Sequence, residues 1–312
     1  MSEHISVLLD EAIEMLNVKK DGIYVDGTLG RGGHSKEILK RLDEGKLYCF
    51  DLDKEAIEKS KENLKDYKNV IYIHDNYMNM NKYVDKVDGI ILDLGVSSPQ
   101  FDVGERGFSY RYDGPLDMRM DKESDLSAYD VINFYDKENL ERVLRDYGEE
   151  KYYKNIVSKI LKVRETKAIE TTFELVDIIK SALPYKELNK KGHPAKQCFQ
   201  ALRIEVNHEL DSLNYFLNNF EKILKKDGRV VIISFHSLED RLVKRKFKEL
   251  CTVVDDKRIV KLPSEIEEAK YSLLSNKVVC ASEEELSKNP RSKSAKLRGI
   301  VYGKNQKKKK KN

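Results

Sequence analysis

Asp26-Gly-Thr-Leu-Gly-Arg-Gly-Gly-His34 lies between an apolar run, Ile23-Tyr-Val-Asp26, and a segment with helical spacing, Ser35–Leu42. A strand that ends in a glycine-rich turn and feeds a helix is the opening half of a βαβ unit. Glycine lets the backbone approach a ligand, and the helix start offers free N–H groups there. Downstream, Lys46-Leu-Tyr-Cys-Phe-Asp51 reads as a second strand and Lys54–Leu64 as a helix. Val70-Ile-Tyr-Ile-His74 and Val87-Asp-Gly-Ile-Ile-Leu-Asp93 read as strands three and four. Strands separated by helix-length segments require right-handed crossovers and therefore a parallel sheet.

The alternation stops after strand four. No strand pattern is evident from Gly107 to Arg203, whereas Leu126–Asp146, Tyr152–Glu165 and Thr172–Leu183 space their apolar residues as helices do. A long helix near Gln200–Leu224 then leads through Lys225-Lys-Asp-Gly228 into a strand, Arg229–Phe235, with Gly228 expected to supply the positive φ of the reversal. The expected architecture is α/β: a doubly wound, mostly parallel sheet interrupted by an inserted all-helical domain. Its expected parts are 1–106 and 204–303 for the sheet, 107–203 for the insertion, and 304–312 as a disordered lysine-rich tail.

Composition narrows the class. The 312 residues are 40% hydrophobic and 36% charged, enough for a sizeable core in a highly charged chain. The net charge of +4 belongs to the tail: without Lys304 and Lys307 to Lys311, 52 basic residues face 54 acidic ones. A lysine run is more often a solvated terminus than a specific site. No apolar run approaches the ~20 residues that span a bilayer, so no membrane segment is expected. Cys49, Cys198, Cys251 and Cys280 are far apart and form no CxxC pair, which points to a reduced, cytoplasmic protein without structural zinc.

Three ligand classes compete for the glycine turn. A P-loop ends in Gly-Lys-Ser/Thr, but Gly32 is followed by Gly33 and His34. A dinucleotide fingerprint needs G-x-G-x-x-G, of which Gly30-Arg-Gly32-Gly-His-Ser35 has only two glycines. S-adenosylmethionine has no phosphates, and its sites tolerate a looser turn. Asp51, at the end of strand two, stands where a carboxylate meets a ribose in doubly wound sheets. Asp53, just beyond, reads as the cap of the helix from Lys54. His74-Asp75-Asn76-Tyr77 reads either as an adenine-flanking segment, with Tyr77 stacking, or as a surface loop.

Strand four runs into Asp93-Leu-Gly-Val-Ser-Ser-Pro-Gln-Phe101. Ser98-Pro99-Gln100-Phe101 is similar to the Asp/Asn/Ser-Pro-Pro-Tyr/Phe element of enzymes that methylate exocyclic amines, with Gln100 in place of the second proline. Such an amine lends its lone pair to the ring, so acceptors must hold its protons and turn the pair outward. An aromatic ring clamps the base by stacking. Alone, the segment reads equally as a Ser-Pro turn.

The turn, the opening His4 to Glu11, and four further segments occur in one order. These are Gly104-Glu-Arg-Gly-Phe-Ser109, Asp113-Gly-Pro-Leu-Asp-Met-Arg-Met120, His193-Pro-Ala through Phe199-Gln-Ala-Leu-Arg-Ile-Glu-Val-Asn207, and Ser234-Phe-His-Ser-Leu-Glu-Asp-Arg241. The series resembles the bacterial 16S ribosomal RNA cytosine-N4 methyltransferases of the MraW/RsmH type, from about His4 to Arg298. The resemblance implies a class I methyltransferase-like sheet and S-adenosyl-L-methionine as cofactor. It implies methylation of the N4 amine of a cytosine in the decoding region of 16S rRNA, with the small ribosomal subunit as partner. By register it assigns Gly32, Gly33, His34, Asp51, Tyr77, Asp93 and Gln100 to the cofactor. Asp93, Ser98, Gln100 and His236 are the candidate catalytic residues, with His236 and Ser237 shaping the base pocket. The family often has phenylalanine at Tyr77, and Gln197 replaces its usual arginine.

Other readings are methylation of DNA or protein, and a non-catalytic RNA-binding assembly factor. Ser234, His236 and Asp240 are too close in sequence to be presumed a hydrolytic triad. Asp113, Asp117 and Asp121 match no calcium loop, and no metal is expected. Arg241, Lys244, Arg245, Lys246 and Lys248, followed by Arg291, Lys293, Lys296 and Arg298, read either as a basic face toward RNA or as a solvated helix face.

Overall fold

The computed structural model describes residues 6–96, 100–101, 103–253 and 268–305. The first part of the chain forms α1 (Leu9–Leu16), β1 (Ile23–Asp26), α2 (Gly33–Leu39), β2 (Lys46–Asp51), α3 (Lys54–Asn63), β3 (Val70–His74) and β4 (Val87–Asp93). β1 pairs in parallel with β2 and β4, and β2 with β3. After the helical region, β5 (Leu224–Ser234) joins β4 in parallel, and α11 (Ser237–Leu250) follows it. β6 (Tyr271–Leu273) and β7 (Lys296–Tyr302) close the edge, with β7 antiparallel to both β5 and β6. The order β3-β2-β1-β4-β5-β7-β6 is the doubly wound, mostly parallel sheet anticipated.

Both faces are covered, so the central strands are apolar on both sides. Val25, Phe50, Ile90, Leu92, Val230 and Ile232 pack with Leu213, Phe216, Val243 and Phe247 on one face. Tyr24, Leu47, Cys49, Ile91, Val231 and Ile233 pack with Ile13, Ile38 and Ile57 on the other. Successive residues of β1, β2, β4 and β5 alternate between these two cores, as the two-residue period of a strand dictates.

Chain contacts divide the protein into residues 1–95 with 212–312, and residues 96–211. The second unit contains α4 (Ala128–Phe134), α5 (Lys137–Arg142), α6 (Tyr153–Arg164), α7 (Thr172–Ala182), α8 (Tyr185–Leu188) and α9 (Lys196–Asn207). α10 (Glu209–Asn219) begins in this unit and ends in the first. Val131, Leu144, Ile156, Ile179 and Leu202 are among the side chains that build its own core. Ser127 and Thr171 each close a capping box, with Asp130 and Glu174 respectively, which starts α4 and α7 without help from neighbours. The unit begins before Gly107 because Val96, Phe101 and Phe108 pack on that core.

Several expected elements are corrected. Leu126–Asp146 is not one helix: it breaks at Tyr135 and passes through a π-helical turn at Val143–Tyr147. Gln200–Leu224 breaks at His208, which takes a left-handed conformation at φ 49° and caps α9. Lys225–Gly228, expected as a turn ahead of the strand, lies within β5, and its left-handed residue is Asp227 at φ 63°, not Gly228. Gly228 serves by lacking a side chain, since a Cβ there would lie 2.7 Å from the Lys225 carbonyl oxygen. β6 and β7 were not anticipated. Lys304 and Asn305, read as part of a disordered tail, are tied down through Glu268 and the carbonyls of Leu273 and Leu274. The rest of that tail lies outside the described residues. No described helix is long and apolar enough to cross a membrane, and all four cysteines are free.

Candidate functional site

Three acidic side chains end three adjacent parallel strands: Asp26 on β1, Asp51 on β2 and Asp93 on β4. In open parallel sheets the crevice beyond the carboxyl ends is where ligands bind, at the point where the strand order reverses. Here the order reverses between β1 and β4.

The glycine turn leaves β1 and wraps this point. Gly32 caps α2 in the left-handed region at φ 79°, and a side chain on Gly33 would place its Cβ 1.8 Å from Ser6 Oγ. Asp26 is buried and accepts from Ser35 Oγ at 2.6 Å and from the Thr28 N–H at 3.1 Å. Thr28 Oγ1 in turn accepts from the Asp93 N–H at 2.6 Å, so β1 and β4 are clipped together beside the turn. Asp51 accepts the Gly30 N–H at 2.8 Å through one oxygen and the Asp53 N–H at 2.9 Å through the other. Each oxygen keeps a second acceptor position. Asp53 caps α3 by accepting from the Glu55 N–H.

His34 is buried, with Nε2 3.1 Å from the Val7 carbonyl oxygen. A carbonyl can only accept, so Nε2 carries the proton and Nδ1 faces Asp93 Oδ2 at 3.8 Å. His34 thereby ties the segment before α1 to the turn. Asp93 Oδ1 is buried without a hydrogen-bond partner. His236, one residue past Phe235, has both ring nitrogens buried without an aligned partner, although Nε2 lies 3.1 Å from Glu239 Oε1. The other Glu239 oxygen accepts the N–H groups of Phe235 and His236 at the start of α11.

Electrostatics of the strand ends share one sign. Burial pushes the Asp26 and Asp51 carboxyls up to about 6 despite their hydrogen bonds. Burial, with the neighbouring Asp26 and Glu239 charges, drives Asp93 well above the usual carboxylate range. Such a cluster welcomes a cation and repels a phosphate.

Tyr77 opens a 3₁₀ turn after β3, its ring edge-on to Phe216 at 5.9 Å. In the same segment Asn76 caps the turn and donates to Ser212 Oγ, while Asp75 is held by Asn79 and Tyr83. Within the first unit, then, Gly32, Gly33, His34, Asp51 and Asp93 converge on the turn. Gln100 is buried in the second unit, and Ser98 lies outside the described residues. Asp26 and Thr28 were not among the expected site residues; the strand-end position of Asp26 was the available signal.

Several polar candidates have structural partners. Asp117 forms a two-pronged ion pair with Arg119, and Asp113 accepts the N–H groups of Gly114 and Phe173. Ser234 Oγ donates to the Lys296 carbonyl and forms no triad with His236. Lys296 and Arg298, read as facing RNA or solvent, instead hold Asp240 at 3.2 and 2.7 Å, fastening β7 to α11. Arg241, Lys244, Arg245 and Lys248 are exposed on α11, opposite the buried Val243 and Phe247.

A family model described as the MraW methylase family matches residues 1–302. The chain is 53% identical to the ribosomal RNA small subunit methyltransferase H of Clostridium botulinum strain Kyoto, over 95% of this chain and 97% of that one. To the same enzyme of strain Loch Maree it is 52% identical with the same coverage. A solved rRNA methylase from Streptococcus thermophilus is 12% identical, with a TM-score of 0.39 over 96% of this chain and 98% of that one.

Proposed function

The chain belongs to the MraW methylase family, and on that premise we propose that it uses S-adenosyl-L-methionine to methylate small-subunit ribosomal RNA, at the N4 amine of a cytosine in the decoding region. The observation that carries this reading is the carboxylate cluster around a glycine turn, with Asp26 buried and Asp51 and Asp93 part-buried. S-adenosyl-L-methionine combines a ribose with two cationic centres and no phosphate, and the residues present fit that composition. Asp51 has acceptor positions left for ribose hydroxyls. Gly32 and Gly33 let the turn pack closely on Leu64 and Ser6, and Asp93 Oδ1 is a buried acceptor without a donor among the described residues. Tyr77 offers a ring for the adenine, on the segment after β3.

When bound, the cofactor supplies an electrophilic methyl group. What the chain must add is alignment and an acceptor for an amine proton, since a conjugated amine reacts only when its lone pair is turned out of the ring. Asp93 at the end of β4 is the leading acceptor. Thr28 fixes its backbone, His34 faces its other oxygen, and its raised proton affinity makes it a competent proton holder. His236, just past β5 with Nε2 3.1 Å from Glu239 Oε1, is the second. The family motif adds Ser98 and Gln100. The four free cysteines are in keeping with action in the cytoplasm.

The test is mass spectrometry of small-subunit RNA from cells lacking the protein, with and without complementation. One cytosine in the decoding region should lose a methyl group and regain it with the wild-type gene but not with Asp93→Ala. An unchanged RNA refutes the proposal. Transferred radiolabel that resists ribonuclease but yields to protease or deoxyribonuclease would establish a protein or DNA substrate instead.

A further inference from the structure

The His193-Pro194-Ala195 loop has no part in the chemistry above. Within the second unit the His193 imidazole lies flat on the Tyr110 ring, centroids 4.3 Å apart and planes 14° from parallel. Tyr110 is wedged by two ring edges, Phe101 at 6.0 Å and the buried Phe199 at 5.7 Å. Tyr110 is thus anchored to the unit's core, and the half-buried His193 lies on it. The backbone fixes His193 as well. Its Nδ1 accepts the Ala195 N–H at 3.2 Å, and its carbonyl accepts the Lys196 N–H that opens α9. With Nδ1 accepting, the ring proton sits on Nε2, which has no hydrogen-bond partner among the described residues.

The surroundings are positive. Burial and the charges of Lys180 and Arg111 lower the His193 pKa, so the imidazole is neutral at physiological pH. Both cations are exposed, and neither pairs with a carboxylate among the described residues. The Arg111 guanidinium lies 6.0 Å from the Tyr110 centroid. Gln197 is turned to the Glu149 carbonyl, to which it donates.

A neutral, pre-fixed aromatic ring with one unused N–H and two unpaired cations beside it is suited to single-stranded nucleic acid. The π-face takes a base whatever its identity, and the cations take the adjoining phosphates. We propose that His193, stacked on Tyr110 and flanked by Arg111 and Lys180, seats one unpaired nucleotide of the RNA substrate. The proposal rests on the RNA-methylating function above and names a contact in the helical unit for it.

The experiment measures binding of a labelled single-stranded RNA by anisotropy across a salt series. Methyl transfer to purified small subunits and calorimetry with S-adenosyl-L-methionine accompany it. His193→Ala should weaken RNA binding about tenfold, the loss of one stacked base, while His193→Phe stays within about threefold of wild type. Arg111→Ala and Lys180→Ala should each flatten the slope of log affinity against log salt by about 0.7. Cofactor affinity should be unchanged in all four. RNA binding by His193→Ala within about twofold of wild type, with normal unfolding and cofactor affinity, overturns the proposal. So does equal loss in His193→Phe and His193→Ala. If His193→Ala does not fold, unaltered salt slopes in both cation variants overturn it. A wild-type protein that neither binds RNA nor labels subunits brings down the functional reading too. Labelling by wild type with an indifferent His193→Ala brings down this inference alone.

Discussion

Removing the Asp51 carboxylate separates two tasks, shaping the turn and, on the proposed function, receiving the cofactor ribose. In Asp51→Ala the N–H groups of Gly30 and Asp53 lose their acceptor, at a cost of about 1–3 kcal/mol each. An opposing contribution comes from the charge. Burial raises the Asp51 pKa to about 6, roughly two units, which corresponds to about 3 kcal/mol against the ionised form at neutral pH. The two largely cancel, so the unfolding free energy of the cofactor-free variant should change by less than about 3 kcal/mol. Cofactor affinity has no such compensation. Losing a charged acceptor for ribose hydroxyls costs about 1.5–3 kcal/mol, at least tenfold in Kd. Asp51→Asn, which keeps one acceptor oxygen but no charge, should fall between. Calorimetric titration with S-adenosyl-L-methionine beside urea unfolding measures both quantities. Unchanged affinity in a folded Asp51→Ala protein refutes the ribose assignment, and a stability loss beyond about 5 kcal/mol would mark the residue as chiefly structural.

Asp93→Ala should slow single-turnover transfer at saturating cofactor at least a hundredfold, about 2.7 kcal/mol, and a near-wild-type rate there would restrict Asp93 to binding. Asp26, raised to about 6 by burial, binds its proton more tightly folded than unfolded, so its contribution favours the folded state below about pH 4 and is lost as pH rises through 6. Urea unfolding of cofactor-free protein from acid to neutral pH should therefore show Asp26→Asn gaining on wild type by up to about 3 kcal/mol across that window, and parallel curves would contradict the burial argument. Truncation after Asn305, which spares the Lys304–Glu268 pair, should flatten the salt dependence of RNA binding by about 0.7 for each lysine that met phosphate. The modified nucleotide should stay the same, and mass spectrometry finding a different cytosine methylated would overturn the view of the tail as non-specific.

Most of the sheet was legible because its signals are local. The bounds of β1 to β4 follow from apolar runs closed by an acidic residue or by turn residues. Asp53 was read as a cap from its place one residue before a helical pattern, and it accepts the Glu55 N–H. β6 and β7 were not legible. Tyr271–Leu273 is too short to show a period, and Lys296-Leu-Arg-Gly-Ile-Val-Tyr302 was read for its charges. Those charges turn out to hold Asp240, a partner 56 to 58 positions away. The helix breaks at Tyr135 and His208 were missed for a related reason. Both lie inside stretches whose apolar spacing stays helical, and the departure is set by packing within the second unit.

The sequence by itself determined the order of β1 to β5, the glycine turn, the strand-end acids and, through the series of motifs, the family. These depend on residue type and spacing over a few positions. Tertiary structure alone decided which of those acids act together. Asp26, Asp51 and Asp93 are 25 to 67 positions apart in sequence, yet parallel pairing brings β1, β2 and β4 side by side and aligns their carboxyl ends. Burial at those strand ends raises their proton affinities, with neighbouring acids adding to the rise at Asp51 and Asp93. Burial and charge coupling depend on distance in space, and no one-dimensional pattern records it.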